Sequence, residues 1–230
     1  METLVYFVRH AEAQGNTEEF FQGKTDCEIS AKGKMQLKAL SERFKDISFD
    51  MIFSSPLKRA YETAEAVNKY HGFDIIKNEG LTEINAGVFE GVKWSELPTR
   101  YPREYDLWVN DLKNFDVEGG ESMVRVYERI KACVTDIVSC NKGKTLVIVS
   151  HGCALRNYLT YVEWGTLDRI GETGWLDNTA VSLLKYNDEL VPKIVFKNDT
   201  SHLPPELSTL RTSKWCRYED KENSDENNGG

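Results

Sequence analysis

The chain has 230 residues, of which 40% are hydrophobic and 29% charged, a composition typical of a globular protein with a sizeable core. Its formal net charge is −8 and its basic residues form no dense cluster, which argues against a nucleic-acid partner. No apolar stretch approaches the ~18 residues of a membrane span, so we expect no membrane partner either.

Four short apolar runs have the length and composition of buried strands: residues 4–8, 51–53, 145–149 and 180–186. Between these runs, apolar residues recur at helical spacing over residues 32–44, 57–70 and 124–138. Strands that alternate with helices form a mostly parallel sheet with helices on both faces. We therefore predict an α/β fold with three layers, α/β/α.

The segment 86–123 interrupts this alternation with prolines, glycines and many aromatic residues. A long segment of this kind is either a lid over a site or a packed excursion of the core. We predict a helical and loop lid. The aromatic side chains that could line a sugar or ring pocket, or simply pack in the core, are Trp94, Tyr101, Tyr105 and Trp108.

The end of the chain differs from the rest in composition. After Tyr218 there is no apolar residue and many charged ones, which predicts a disordered tail over residues 219–230. Residues 1–218 are expected to form a single domain. The five cysteines show no CxxC pair and no secretory leader follows Met1, so we expect free thiols in a cytoplasmic protein.

Polar side chains follow three of the predicted strands. Arg9 and His10 follow the first, Arg59 lies shortly after the second, and His151 follows the third. Because the carboxyl ends of adjacent parallel strands meet at one edge of a sheet, these side chains should converge. Guanidinium groups match phosphate oxygens, whereas they would repel a metal ion. The sequence therefore predicts a phosphate site without a metal.

A series of motifs around these residues resembles the histidine phosphatase superfamily, which has the phosphoglycerate-mutase-like fold. The motifs are "FVRHAEAQGN", "FQGKTDCEISAKGKMQ", "IFSSPLKRAYETAEA", "LTEINAGVFEG", "GGESMVRVYERI", "VIVSHGCALRNYL" and "LDNTAVSLLKY". They occur in the order and at about the intervals seen in the family, and they cover residues 3–187. Any single motif would be weak, but the combination is specific.

The resemblance implies a role for each polar side chain at the strand ends. His10 matches the family's nucleophile, which attacks phosphorus in line and becomes a phosphohistidine. Arg9, Arg59 and His151 match the cationic phosphate pocket. His151 is expected to be protonated or a strong donor when phosphate is bound. The resemblance implies neither a metal nor another cofactor.

Glu83 in "LTEINAG" matches the family's general acid, and we prefer it for that role over the rival carboxylate Glu90. The matches to loop positions that contact phosphate or substrate are Asn16, Gln22, Gly23 and Gly152. For these four, ordinary turn chemistry is an alternative interpretation. The family usually has glycine after the histidine, whereas this chain has Ala11, which would be strained at a positive φ.

The same pocket can transfer a phosphoryl group to water or to a second hydroxyl. Phosphoglycerate mutases of the family carry a paired-arginine patch in a longer insertion, whereas Arg100 and Arg103 are separated and stand among acidic residues. We therefore predict a metal-independent phosphomonoesterase that acts on small phosphorylated metabolites. A cofactor-dependent phosphoglycerate mutase-type transferase and a non-catalytic phospholigand-binding module are the alternatives. The expected partner is a small-molecule phosphate ester, and we allow for a homodimer.

Overall fold

The computed structural model describes residues 2–212, so the predicted tail at 219–230 lies outside the described residues. The strands are β1 (Thr3–Arg9), β2 (Met51–Ser54), β3 (Ile75–Lys77), β4 (Thr145–Ser150), β5 (Val181–Tyr186) and β6 (Pro192–Asp199). The α-helices are α1 (Gln14–Thr17), α2 (Ala31–Phe44), α3 (Lys58–Asn68), α4 (Leu97–Arg100), α5 (Pro102–Asn110), α6 (Met123–Ser139), α7 (Gly152–Trp164) and α8 (Thr209–Thr212).

The six strands form one sheet in the order β3-β2-β4-β1-β5-β6. Strands β1, β2, β3 and β4 are parallel, whereas β5 runs antiparallel to β1 and to β6. The predicted mostly parallel sheet is therefore confirmed, and the four predicted strands lie at its centre. Both edge strands, β3 and β6, were not predicted from the sequence.

Helices cover both faces of the sheet, as the alternating pattern predicts. On one face, Val5 and Phe7 of β1 belong to an apolar cluster that includes residues of α6 and α7. On the other face, Val8 packs in a cluster with residues of α2 and α3. Successive side chains of a strand point to opposite faces, so β1 supplies both clusters. The three-layer prediction is confirmed.

Serine side chains cap the N-termini of α2 and α6, two of the helices that flank the sheet. The Ser30 hydroxyl accepts from the Gly33 N–H at 2.9 Å at the start of α2, and Ser122 caps α6 in the same way. Such side chains satisfy N–H groups that have no partner within the helix. In the part of the chain that the structure describes, no helix combines the length and the apolar character needed to cross a membrane.

The segment 86–123 contains α4, α5 and two short 3-10 helices at Gly87–Phe89 and Leu112–Asn114. Its apolar side chains form a third cluster with residues from α6 and α7. Phe89, Leu97 and Phe115 are fully buried there. The segment is thus a helical excursion with its own packed core, and its action as a lid stays a prediction.

Candidate active site

The predicted convergence of strand ends occurs at the carboxyl edge of β1 and β4. These strands pair in parallel with Arg9 opposite Ser150, so His10 and His151 leave the sheet side by side. The centroids of the two imidazole rings are 5.1 Å apart. Both rings are buried, with His10 3% exposed and His151 fully enclosed.

His10 has one ring nitrogen occupied and the other free for chemistry. Its Nδ1 lies 2.7 Å from the carbonyl oxygen of Ala11, and a carbonyl can only accept, so Nδ1 carries the proton. Nε2 therefore keeps its lone pair. Burial, and then the positive charges of Arg59 and Arg9, lower the pKa of His10 well below its usual value. Burial and these charges therefore favour the neutral ring, which is the form that can attack an electrophile.

A loop before β5 holds the backbone of His10 in place. The Asn178 side chain donates to the His10 carbonyl at 2.8 Å, and the Thr179 N–H donates to the Arg9 carbonyl at 3.1 Å. Thr179 reaches this position at φ = 56°, a conformation unusual for a residue other than glycine. Sequence reasoning assigned no role to this loop, although "LDNTA" lies within one of the recognised motifs.

Arg9 lies against the start of α7. Its guanidinium donates to the Leu176 carbonyl, and a Cβ at Gly152 would lie 3.2 Å from Arg9 Nε. Glycine at 152 therefore leaves room for the guanidinium beside the helix. Arg9, His10 and Gly152 all line the same cavity.

Arg59 and His151 lie behind these residues and are fully buried. Arg59 donates to the carbonyls of Thr25 at 2.8 Å and of Gly23 at 2.7 Å. His151 Nε2 lies 2.8 Å from the Ser55 hydroxyl, and burial followed by the charge of Arg59 lowers the pKa of His151 well below its usual value. Arg59 Nε and His151 Nδ1 have no hydrogen-bond partner within residues 2–212.

The Glu83 carboxylate lies at the N-terminus of α7 and lines the cavity. Its oxygens accept from the N–H groups of Ile84, Ala154 and Cys153, each at 3.0 Å. The first N–H groups of a helix have no partner within the helix and are therefore available to a side-chain oxygen. The helix therefore fixes this carboxylate in the cavity that Arg9 and His10 also line.

Glu90 has a different environment from Glu83 and does not line the cavity. Its carboxylate accepts from the backbone N–H groups of Gly23, Lys24, Thr25 and Ala86, and from the Thr25 hydroxyl. It thereby holds the loop whose carbonyls bind Arg59. The contacts of Glu90 are those of a structural residue, in keeping with the preference for Glu83 as the acid.

The cavity has a volume of about 370 Å³ and lies between the polar strand ends and the aromatic segment. Asn16 and Gln22 line it, and Asn16 Oδ1 accepts from Gln22 Nε2 at 3.2 Å. Gly23 does not line the cavity. A Cβ at this position would lie 2.3 Å from the Ile84 carbonyl oxygen, so the glycine permits close packing of the loop.

The family model of the histidine phosphatase superfamily (branch 1) matches residues 5–200 of the chain. The chain belongs to this superfamily. This membership confirms the prediction of a histidine-phosphatase-type phosphoric monoester hydrolase and of the phosphoglycerate-mutase-like fold.

Known members of the superfamily are similar over nearly the whole chain. "Phosphoserine phosphatase 1" of Hydrogenobacter thermophilus is 32% identical over 85% of this chain and 92% of its own length. "Probable phosphoglycerate mutase GpmB" of Escherichia coli is also 32% identical, over 81% of this chain and 86% of its own. The solved structure of Bacillus stearothermophilus YhfR is 28% identical, covers 87% of this chain and 98% of its own, and has a TM-score of 0.83.

Ala11 replaces the glycine usual in the superfamily without strain. It is not among the described residues with positive φ, and its N–H donates to the Thr63 hydroxyl at 3.0 Å. The methyl group is fully buried. The position therefore needs no glycine here.

The aromatic residues of the segment 86–123 divide between cavity wall and core. Trp94, Tyr105 and Trp108 line the cavity, whereas Tyr101 packs against Phe89 with ring centroids 5.5 Å apart. Within residues 2–212, no group of three or more His, Cys, Asp or Glu side chains is arranged to hold a metal ion.

Proposed function

We propose that this member of the superfamily hydrolyses phosphate monoesters through a phosphohistidine formed on His10, and that it needs no metal. The observation that carries the proposal is the state of His10. Its Nδ1–H is held by the Ala11 carbonyl, its ring is neutral, and it lines the cavity beside Arg9 and Glu83. The unprotonated Nε2 is a suitable nucleophile for phosphorus.

In the first step, Nε2 of His10 attacks phosphorus and the bond to the ester oxygen breaks. Glu83 in its protonated form gives its proton to the leaving alkoxide. In the second step, the Glu83 carboxylate takes a proton from water, the resulting hydroxide attacks phosphorus, and the N–P bond breaks. Inorganic phosphate leaves and His10 returns to its neutral form.

Cationic and N–H donors would stabilise the charge on the transferred group. Arg9 lines the cavity, whereas Arg59 and His151 lie behind its lining, and the buried nitrogens Arg59 Nε and His151 Nδ1 lack partners within residues 2–212. Phosphate oxygens on His10 would supply acceptors for them, and the phosphate charge would favour the protonated form of His151. Asn16 and Gln22 are the lining residues suited to neutral hydrogen bonds with the bound ester.

The first test is hydrolysis of p-nitrophenyl phosphate by the full chain in the presence of EDTA. We expect turnover in EDTA, and we expect His10→Ala to abolish it because the covalent step is lost. His71→Ala is the matched control, since His71 lies outside the cavity and bonds to the Phe44 carbonyl. After rapid alkaline quenching of the reaction, the trapped phosphoryl group should be found on the peptide that contains His10. An active His10→Ala variant would contradict the mechanism.

The positions of two arginines in the insertion favour hydrolysis over the mutase reaction. Neither Arg100 nor Arg103 lines it, so the insertion contributes no arginine patch for a substrate carboxylate. Isomerisation of 3-phosphoglycerate that depends on a bisphosphorylated cofactor would reverse this preference. Ligand binding without turnover would favour the non-catalytic module. The cytoplasmic location and a homodimer stay predictions from the sequence.

A further inference from the structure

The cavity has two ends of different chemistry. Arg9, His10, Glu83 and Gly152 form the inner end, where the proposed reaction takes place. The remaining lining, or wall, is mainly apolar, with the rings of Phe21, Trp94, Tyr105, Trp108 and Trp175, and also includes the neutral polar residues Asn16, Gln22 and Ser95. A phosphate bound at the inner end directs the leaving alcohol toward this wall.

The aromatic side chains of the wall brace one another. Phe21 lies with its ring centroid 4.8 Å from those of both Trp94 and Trp108. Trp108 and Trp175 are stacked, with centroids 6.0 Å apart and an interplanar angle of 30°. Trp94 and Trp175 are partly buried, and both line the cavity. Rings held in this way bind a flat apolar group with little loss of side-chain freedom.

The charged side chains that line the cavity also bear on which leaving alcohol it can bind. Among the described residues that line the cavity, the charged side chains are Arg9, Glu19 and Glu83, and the single cation is at the phosphate end. Arg156 is near, but it is buried behind Trp175, over whose ring it lies at 4.4 Å, and it donates to the Ile170 carbonyl. Among the lining residues that the structure describes, a carboxylate on the leaving alcohol would therefore meet Glu19, aromatic rings and neutral polar groups, and no cation beyond Arg9.

We propose that the preferred substrate is a phosphate monoester whose leaving alcohol carries an aromatic group and no carboxylate. This inference rests on the proposed phosphatase activity and deepens it. It would distinguish the chain from two of its relatives, because their names indicate phosphoserine and phosphoglycerate, which both carry a carboxylate.

The first experiment compares three alkyl phosphates whose leaving alcohols have similar basicity. They are n-propyl phosphate, 2-phenylethyl phosphate and 2-(4-carboxyphenyl)ethyl phosphate. We expect kcat/KM for the phenylethyl ester to exceed that for the propyl ester by about tenfold or more, because the ring is buried in the cavity. The added carboxylate should remove about tenfold or more of this gain, because it enters an acidic and apolar wall.

Two variants test which residues produce the preference. Trp94→Leu should lower the phenylethyl-to-propyl ratio of kcat/KM, whereas a general folding defect would lower both values and leave the ratio unchanged. Trp164→Leu is its control, because this tryptophan packs under Arg169 outside the cavity. Glu19→Lys should raise the ratio of carboxyphenylethyl to phenylethyl turnover. Glu18→Lys changes the net charge equally at a neighbour that does not line the cavity.

The outcomes separate the inference from the activity on which it rests. If no ester is hydrolysed, the proposed function fails and the inference fails with it. If all three esters are hydrolysed with equal kcat/KM, or the carboxylate ester is preferred, the phosphatase stands and the substrate class is wrong. A ratio that Trp94→Leu leaves unchanged would also overturn the assignment of the wall as the leaving-group site.

Discussion

The two carboxylates of the segment "EINAGVFE" show how position decides the role of a side chain. Glu83 lines the cavity beside His10, held by N–H groups at the start of α7. Glu90 does not line the cavity, and its carboxylate accepts hydrogen bonds from the backbone N–H groups of residues 23–25. A carboxylate that is to exchange a proton with a leaving group must reach the cavity, and of these two only Glu83 does.

Glu83→Gln should therefore affect substrates according to their leaving groups. An alkoxide is too basic to leave without a proton, whereas p-nitrophenolate leaves readily on its own. We expect kcat/KM for an alkyl phosphate to fall by about 10²- to 10⁴-fold, and that for p-nitrophenyl phosphate to fall much less. Steady-state kinetics with both esters measures the difference. Equal losses with the two esters would mean that Glu83 does not protonate the leaving group.

The catalytic candidates could be found from sequence because each sits in a local pattern. Arg9, His10 and His151 follow apolar runs that become neighbouring strands, so their convergence depends only on the parallel order of the sheet. The Asn178 contact with His10 spans 168 residues and follows from the path of a loop, which has no periodic pattern. The same is true of Glu90, whose partners at residues 23–25 are set by tertiary packing.

Among the secondary structure elements, the edge strands escaped prediction for a physical reason. β3 has three residues, too few to show a period, and two of them are exposed. β6 alternates between exposed and partly buried residues and begins at Pro192, a residue tolerated at a strand start or on an edge. The central strands are buried on both faces and therefore appear in the sequence as continuous apolar runs.

The loop at residues 23–25 is held by two side chains, Glu90 through the loop N–H groups and Arg59 through the loop carbonyls. Glu90→Gln would place an amide NH₂ against backbone N–H donors that now bond to a carboxylate. We expect the free energy of unfolding to fall by about 1 kcal/mol, because partly buried N–H donors lose one of the two acceptor oxygens. Since the loop carbonyls bind Arg59, KM for p-nitrophenyl phosphate should also rise. Urea denaturation and steady-state kinetics measure the two effects.

Glu118→Gln is the matched control for this loop, because Glu118 lies in the same chain segment and is exposed. It should leave both stability and KM close to those of the unchanged protein. If Glu90→Gln behaved like this control, the loop would not depend on the Glu90 carboxylate.

The molecule as a whole carries a formal net charge of −8, yet it buries histidines next to arginines. Burial and the nearby guanidinium groups lower the pKa of His10 and His151 well below the usual value. At a separate position, burial and the charge of Arg43 lower the pKa of His202 to about 4, although Asp199 and Asp177 oppose the shift. All three imidazoles are therefore neutral in the folded protein at pH values where unfolded histidines begin to protonate.

This arrangement predicts that acid destabilises the fold before its carboxylates titrate. Below the unfolded pKa of about 6.5, the unfolded chain binds protons that the folded chain does not, so the free energy of unfolding falls with falling pH. Each such histidine contributes at most about 1.4 kcal/mol per pH unit. For His202 the loss extends from about pH 6.5 to its folded pKa of about 4. Urea denaturation at pH 7, 6 and 5 should show a smaller pH dependence for His202→Asn than for the unchanged chain. Parallel curves for the two proteins would show that His202 is not held neutral by Arg43 and its burial.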